Sequence, residues 1–135
     1  MTEQLLHLTE EPLWEAARRA GTYEMSTRGR TLREEGFIHC SLPHQLSAVA
    51  RALYGSDDEG LVVLVIDTTR LPAPVRYEAM EPGGEEFPHI YGPLPASAVV
   101  EVRPWAEQAE QAERDEHADH AARTAHAAHE EGEAR

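Results

Sequence analysis

At 135 residues the chain is long enough for one domain with a single hydrophobic core and short for two. Its formal net charge of −13 argues against an extended nucleic-acid backbone as partner, because such binding neutralises many phosphates with basic side chains. A single cysteine, Cys40, excludes an internal disulfide framework and a multi-cysteine zinc site, and fits a reducing cytoplasm.

The first residues lack the positive n-region and long apolar core of a signal peptide, and no run has the roughly 18 apolar residues of a membrane span. A soluble cytoplasmic protein with no membrane partner is expected. Leu5-Leu6-His7-Leu8 reads as an opening strand that carries His7 into a partly buried place. Thr9 is the expected cap of a helix whose first turn holds Glu10, Glu11 and Pro12 and which runs through Trp14 and Ala17 to Gly21. From Thr22 to Glu35 the pattern is polar and irregular and reads as a loop. Its arginines, Arg28, Arg30 and Arg33, belong either to a solvated surface or to a flap that clamps a phosphate.

Gly36-Phe37-Ile38-His39-Cys40-Ser41 reads as a short buried strand with a histidine at its end. Ser41 is the expected N-cap of a second helix, with Pro43 in its first turn and Leu46, Val49, Ala50, Leu53 and Tyr54 at helical spacing before Gly55. A histidine beside a helix N-terminus is a place where an anionic ligand is held. Leu61 to Asp67 is apolar on both faces and predicts the central strand of the sheet. Val75 to Met80 alternates, with Val75, Tyr77 and Ala79 on one face and Arg76 and Glu78 on the other. A Pro-Gly-Gly turn follows, then Phe87-Pro88-His89-Ile90-Tyr91-Gly92 and a closing strand over Ala98 to Val102. The domain is expected to span 1–105. Residues 106–135, rich in Ala, Glu and His, form an appended acidic tail, helical by propensity or disordered, with little apolar surface to bury.

Three histidines, His7, His39 and His89, sit in short apolar runs where a histidine needs a reason. Each alone is explained as a satisfied core ring that ties strands together; together with Ser41, Tyr91, Arg76 and Glu78 they suit a pocket for a polar ligand. Adjacent strand residues face opposite ways, so with His39 toward the pocket Cys40 faces the core and is inert. No metal is expected. The core histidines lack ligand spacing, and the tail pairs His117/His120 and His126/His129 lack a packed shell to orient their rings.

From Leu5 to about Pro104 the chain resembles the family named domain of unknown function 952, through Leu6-His7-Leu8-Thr9, Gly-Phe-Ile-His-Cys-Ser at 36–41 and Phe-Pro-His-Ile-Tyr-Gly-Pro-Leu at 87–94. That family is in turn similar to the ADP-ribosyltransferase fold, which includes the RNA 2′-phosphotransferases. The resemblance implies an α+β fold with a small, bent and split β-sheet, two main helices and NAD as co-substrate in a cleft. It implies that His7 meets the adenosine ribose and that His39 and Ser41 lie at the nicotinamide side. A late carboxylate then falls to Glu78 or Glu101, with His89 as a substitute; Glu78 comes first because Arg76 and Tyr77 beside it suggest a charge-balanced place. The expected activity is that of a transferase or glycohydrolase acting on NAD. The alternative is a non-catalytic module on the same fold that binds a nucleotide or phosphorylated small molecule.

Overall fold

The structure, a computed structural model, describes residues 4–106. The tail, including its histidine pairs, otherwise lies outside the described residues. Strand β1 (Gln4–Glu10) leads into helix α1 (Glu11–Ala20), followed by the short strands β2 (Thr22–Tyr23), β3 (Met25–Thr27) and β4 (Arg30–Thr31) and a one-turn helix α2 (Leu32–Glu35). Strand β5 (Ile38–His39) precedes helix α3 (Leu46–Leu53), which a 3₁₀ turn over Pro43–Gln45 introduces. Strands β6 (Leu61–Asp67), β7 (Val75–Ala79), β8 (Glu86–Ile90), β9 (Leu94–Pro95) and β10 (Val99–Pro104) complete the domain.

Two three-stranded antiparallel sheets dominate, in the orders β1-β6-β10 and β5-β8-β7. They meet at one bridge, where Leu6 and Ser41 exchange backbone hydrogen bonds of 2.9 and 2.7 Å. Strand β6 is central, as its two-sided apolar run predicts. Val62, Leu64 and Ile66 face a core shared with Leu5, Trp14 and Ala17 of α1 and with Ile38 and Ile90, while Val63 and Val65 pack with Leu6 and Leu8 against Leu46 and Ala50 of α3. The two principal helices thus cover opposite faces of one sheet. Among the described residues no helix is long and apolar enough to cross a membrane.

Three local expectations are corrected. Thr9 does not cap α1, since β1 runs on to Glu10; alternation along the strand turns Thr9 into the core on the face of Leu5 and His7, where it meets the Tyr23 hydroxyl. The segment from Thr22 to Glu35 is structured. Tyr23 is 1% exposed, and Thr31 closes a capping box with Glu34 that starts α2. Ser41 is not a helix cap, because its backbone is committed to Leu6; the N-cap of the 3₁₀ turn is Leu42, whose N–H donates to Gln45 Oε1 at 2.9 Å.

Two motif glycines have structural reasons. Gly36 ends α2 with φ of 90°, a left-handed conformation that a side chain disfavours, and so delivers the chain to β5. At Gly92 the constraint is space: a Cβ there would stand 2.7 Å from the Ala73 Cβ. Gly92→Ala is therefore expected to cost about 1–3 kcal/mol by overpacking, read as a lower thermal midpoint. Adding Ala73→Gly should return part of that loss; no recovery would contradict the close approach.

Candidate active site

Strand alternation and register assemble the site. The pairs His39↔His89, Arg76↔His89 and Glu78↔Phe87 put these side chains on one face of the β5-β8-β7 sheet, together with Phe37 and Tyr91 at the same parity. Ile38, Cys40 and Ile90 point the other way, into the core. Of the sequence-predicted residues, the sheet therefore brings together His39, Arg76, Glu78, His89 and Tyr91.

Glu78 is the focus of that face. Its Oε1 accepts from His89 Nδ1 at 2.8 Å and from the Tyr91 hydroxyl at 2.5 Å. Hydrogen bonding from Tyr91 first, and from His89 second, lowers the Glu78 carboxyl below its ordinary value; the same bond raises the Tyr91 phenol. The Arg76 guanidinium lies 5.0 Å from the Tyr91 ring centroid, adding positive charge beside the carboxylate. His89 is 2% exposed, and Phe37 stacks on it with centroids 4.0 Å apart and planes 12° from parallel. With Nδ1 donating to Glu78, the other ring nitrogen of His89, Nε2, is buried without a hydrogen-bond partner among the described residues.

His39, with its ring centroid 5.5 Å from that of His89, opens onto a cavity of about 270 Å³. Phe37 and His39 form one wall, Val49, Ala52 and Leu53 of α3 another, and Met80 the rim. Glu78, Arg76 and Tyr91 do not line this cavity but stand on the same sheet face, and Phe37 adjoins both, lining the cavity while stacking on His89. Burial, and then the nearby His89, lower the His39 pKa to about 4, so its ring is neutral at pH 7.

His7 and Ser41 do not reach this surface, which revises the ligand-contacting roles that the resemblance implies for them. His7 is 3% exposed, with Nδ1 2.7 Å from the His39 carbonyl and Nε2 2.8 Å from the Tyr23 hydroxyl. The carbonyl can only accept, so the His7 proton sits on Nδ1 and Nε2 accepts from Tyr23, whose oxygen also lies 2.8 Å from Thr9 Oγ1. Burial lowers the His7 pKa to about 4. His7 is a positioning residue that holds the backbone of His39. Ser41, 2% exposed, joins the sheets through its main chain. Glu101 lies on β10 in the other sheet, where it pairs with Arg103 at 2.9 Å.

Two of the three flap arginines form ion pairs, Arg28 with Asp57 and Arg30 with Glu35, and Arg28 also donates to the Leu53 carbonyl; Arg33 is exposed. Sequence reasoning missed Tyr23 and Gln45. The Gln45 amide donates to Glu85 and to the Glu86 carbonyl, fastening the start of α3 to the β7-β8 hairpin. A lone tyrosine just past the Gly21 helix stop was the available signal for the first.

Cys40 is 1% exposed, and burial raises its thiol well above the ordinary range. Labelling by a thiol reagent is expected to proceed only at the rate of unfolding, and Cys40→Ser to cost stability without altering ligand binding. Fast labelling of the native protein would contradict this placement.

These features define an α+β protein of small antiparallel sheets, few helices and a histidine–carboxylate cluster on one sheet face. The chain belongs to the family described as protein of unknown function (DUF952), which matches residues 8–102 and so includes both long motifs. It is similar to protein CC0527 from Caulobacter crescentus. The crystal structure of that protein is 30% identical with a TM-score of 0.61, covering 73% of this chain and 82% of the other. Its solution NMR structure is 29% identical with a TM-score of 0.61, covering 75% and 83%. No curated protein matches the sequence.

Proposed function

We propose that this chain is an NAD-utilising transferase or glycohydrolase of the ADP-ribosyltransferase type, on a compact, bent and split sheet related to that fold. The observation that carries the reading is Glu78, an ionised carboxylate aimed by two donors, His89 Nδ1 and the Tyr91 hydroxyl. A carboxylate held in this way is preorganised for a ribose hydroxyl and for the positive charge that develops when a glycosidic bond to a cationic leaving group breaks. The rest of the donor set suits a dinucleotide: Arg76 offers a guanidinium to a phosphate, and the Phe37 and Tyr91 rings offer stacking surfaces 5.5 Å apart. NAD supplies the activated C1′–nicotinamide bond; the protein orients it and stabilises charge, with no metal in the scheme.

The test is incubation of the protein with NAD, with free nicotinamide assayed while backbone and histidine NMR signals are followed. Nicotinamide release with shifts at Phe37, His89 and Tyr91 is the expected result. Shifts without release would make the chain a nucleotide-binding module, and neither would overturn both readings.

A further inference from the structure

The cavity beyond Phe37 has a chemistry of its own. Its walls are overwhelmingly apolar, through Phe37, Val49, Ala52, Leu53 and Met80. Among the described residues no arginine lines it, and the one carboxylate that does, Glu35, is neutralised by Arg30 at 2.6 Å. An anionic ligand would be desolvated there without a counter-charge, which disfavours phosphates and carboxylates. Ser26 and Thr27 of β3 also line it, and the titratable group it holds besides Glu35 is the His39 imidazole, whose ring nitrogens have no hydrogen-bond partner among the described residues. A neutral imidazole offers one acceptor and one donor, a match for a single hydroxyl on an otherwise apolar molecule. His39 also links the cavity to the carboxylate, through His89 beside it and the His89–Glu78 bond.

We infer that this cavity is the acceptor site of the transfer reaction and takes a small, uncharged, largely apolar alcohol or phenol, hydrogen-bonded through its hydroxyl to His39. The inference rests on the NAD-utilising reading above. In the step it implies, the acceptor oxygen forms a bond to C1′ of the NAD ribose while the C1′–nicotinamide bond breaks. Nicotinamide leaves as a neutral molecule with the bonding pair, and the hydroxyl proton passes to His39 and then to water. As the oxygen bonds to C1′ its proton becomes strongly acidic, so a weakly basic ring suffices to take it. A cavity of about 270 Å³ holds a one- or two-ring molecule and excludes a folded protein or an RNA end from its interior.

Phenol is a direct probe, with benzoate and phenyl phosphate as charged comparators. Without NAD, phenol is expected to bind with a dissociation constant on the order of 1 mM, shifting the His39 ring and Met80 methyl signals, and the comparators more weakly. Ala52→Phe, which fills the cavity from α3, should weaken phenol at least about tenfold. With NAD present, phenol should yield a phenyl ADP-riboside, detected by mass spectrometry. Absence of phenol shifts at His39 and Met80, or tighter binding of phenyl phosphate, would overturn the acceptor site even where NAD is hydrolysed. Phenol binding in the cavity with no NAD-dependent product would overturn the transfer step and, if nicotinamide release also fails, the NAD reading itself.

Discussion

Lowering the pH from 7 to 4 is expected to remove about 3 kcal/mol of stability through His7 alone. In the folded chain burial holds the His7 pKa at about 4, against 6.5 for an ordinary histidine. The unfolded chain therefore binds the extra proton first, and protonation favours unfolding as the pH falls below 6.5. The stabilisation is fully present above 6.5 and is lost progressively as the pH falls to about 4. His39, lowered to about 4 by burial and by His89, acts in the same direction, with a smaller share because its ring is partly exposed. The depressed carboxylates Glu34, Asp67 and Glu78 have the opposite charge but the same sense, and contribute below the ordinary carboxylate range. Urea unfolding at successive pH values should show the midpoint falling steeply between 6.5 and 4. In His7→Gln the protein should be weaker at pH 7 and the slope shallower. A wild-type midpoint that stays level from pH 7 to 5 would mean that His7 is not held neutral among Tyr23, Thr9 and the His39 carbonyl.

The parts of this arrangement legible in the sequence are those fixed by a two-residue period. Once Phe37-Ile38-His39-Cys40 is a strand, His39 and Cys40 must part company, and the core position of Cys40 bears this out. The two-sided apolar run of β6 likewise required a partner layer on each face, and both core clusters provide one. What alternation cannot give is which strands pair. The apposition of His39 with His89, and of both with Arg76, depends on β8 lying between β5 and β7. For the same reason Tyr23 could not be foreseen as the partner of His7: the two are 16 residues apart and meet only after α1 has folded back onto the sheet. Ser41 was misread because cap chemistry and bridge chemistry use the same residue types, and a tertiary contact with Leu6 decided between them. The cavity is lined jointly by residues of β3, β5 and α3, a juxtaposition that no local pattern records.

The largest functional effect is expected at Glu78. Glu78→Gln should lower nicotinamide release about 10²–10³-fold, because the amide keeps the shape of the side chain but removes the charge that stabilises a developing ribosyl cation. NAD affinity should change little, since Arg76 and the Phe37 and Tyr91 rings remain; a loss confined to binding would make Glu78 a ligand contact only. Tyr91→Phe separates position from charge. It removes the hydrogen bond that does most to lower the Glu78 pKa and leaves the His89 bond. The acid limb of the pH–rate profile should therefore move upward in Tyr91→Phe, toward an ordinary carboxylate, while the rate near neutrality falls by about tenfold or less. The wild type, with its carboxyl held below the usual range, should keep its rate to lower pH than this variant. A purely structural role for Tyr91 would lower the rate equally at every pH, and equal loss across the profile would exclude the tuning of Glu78 by its phenol.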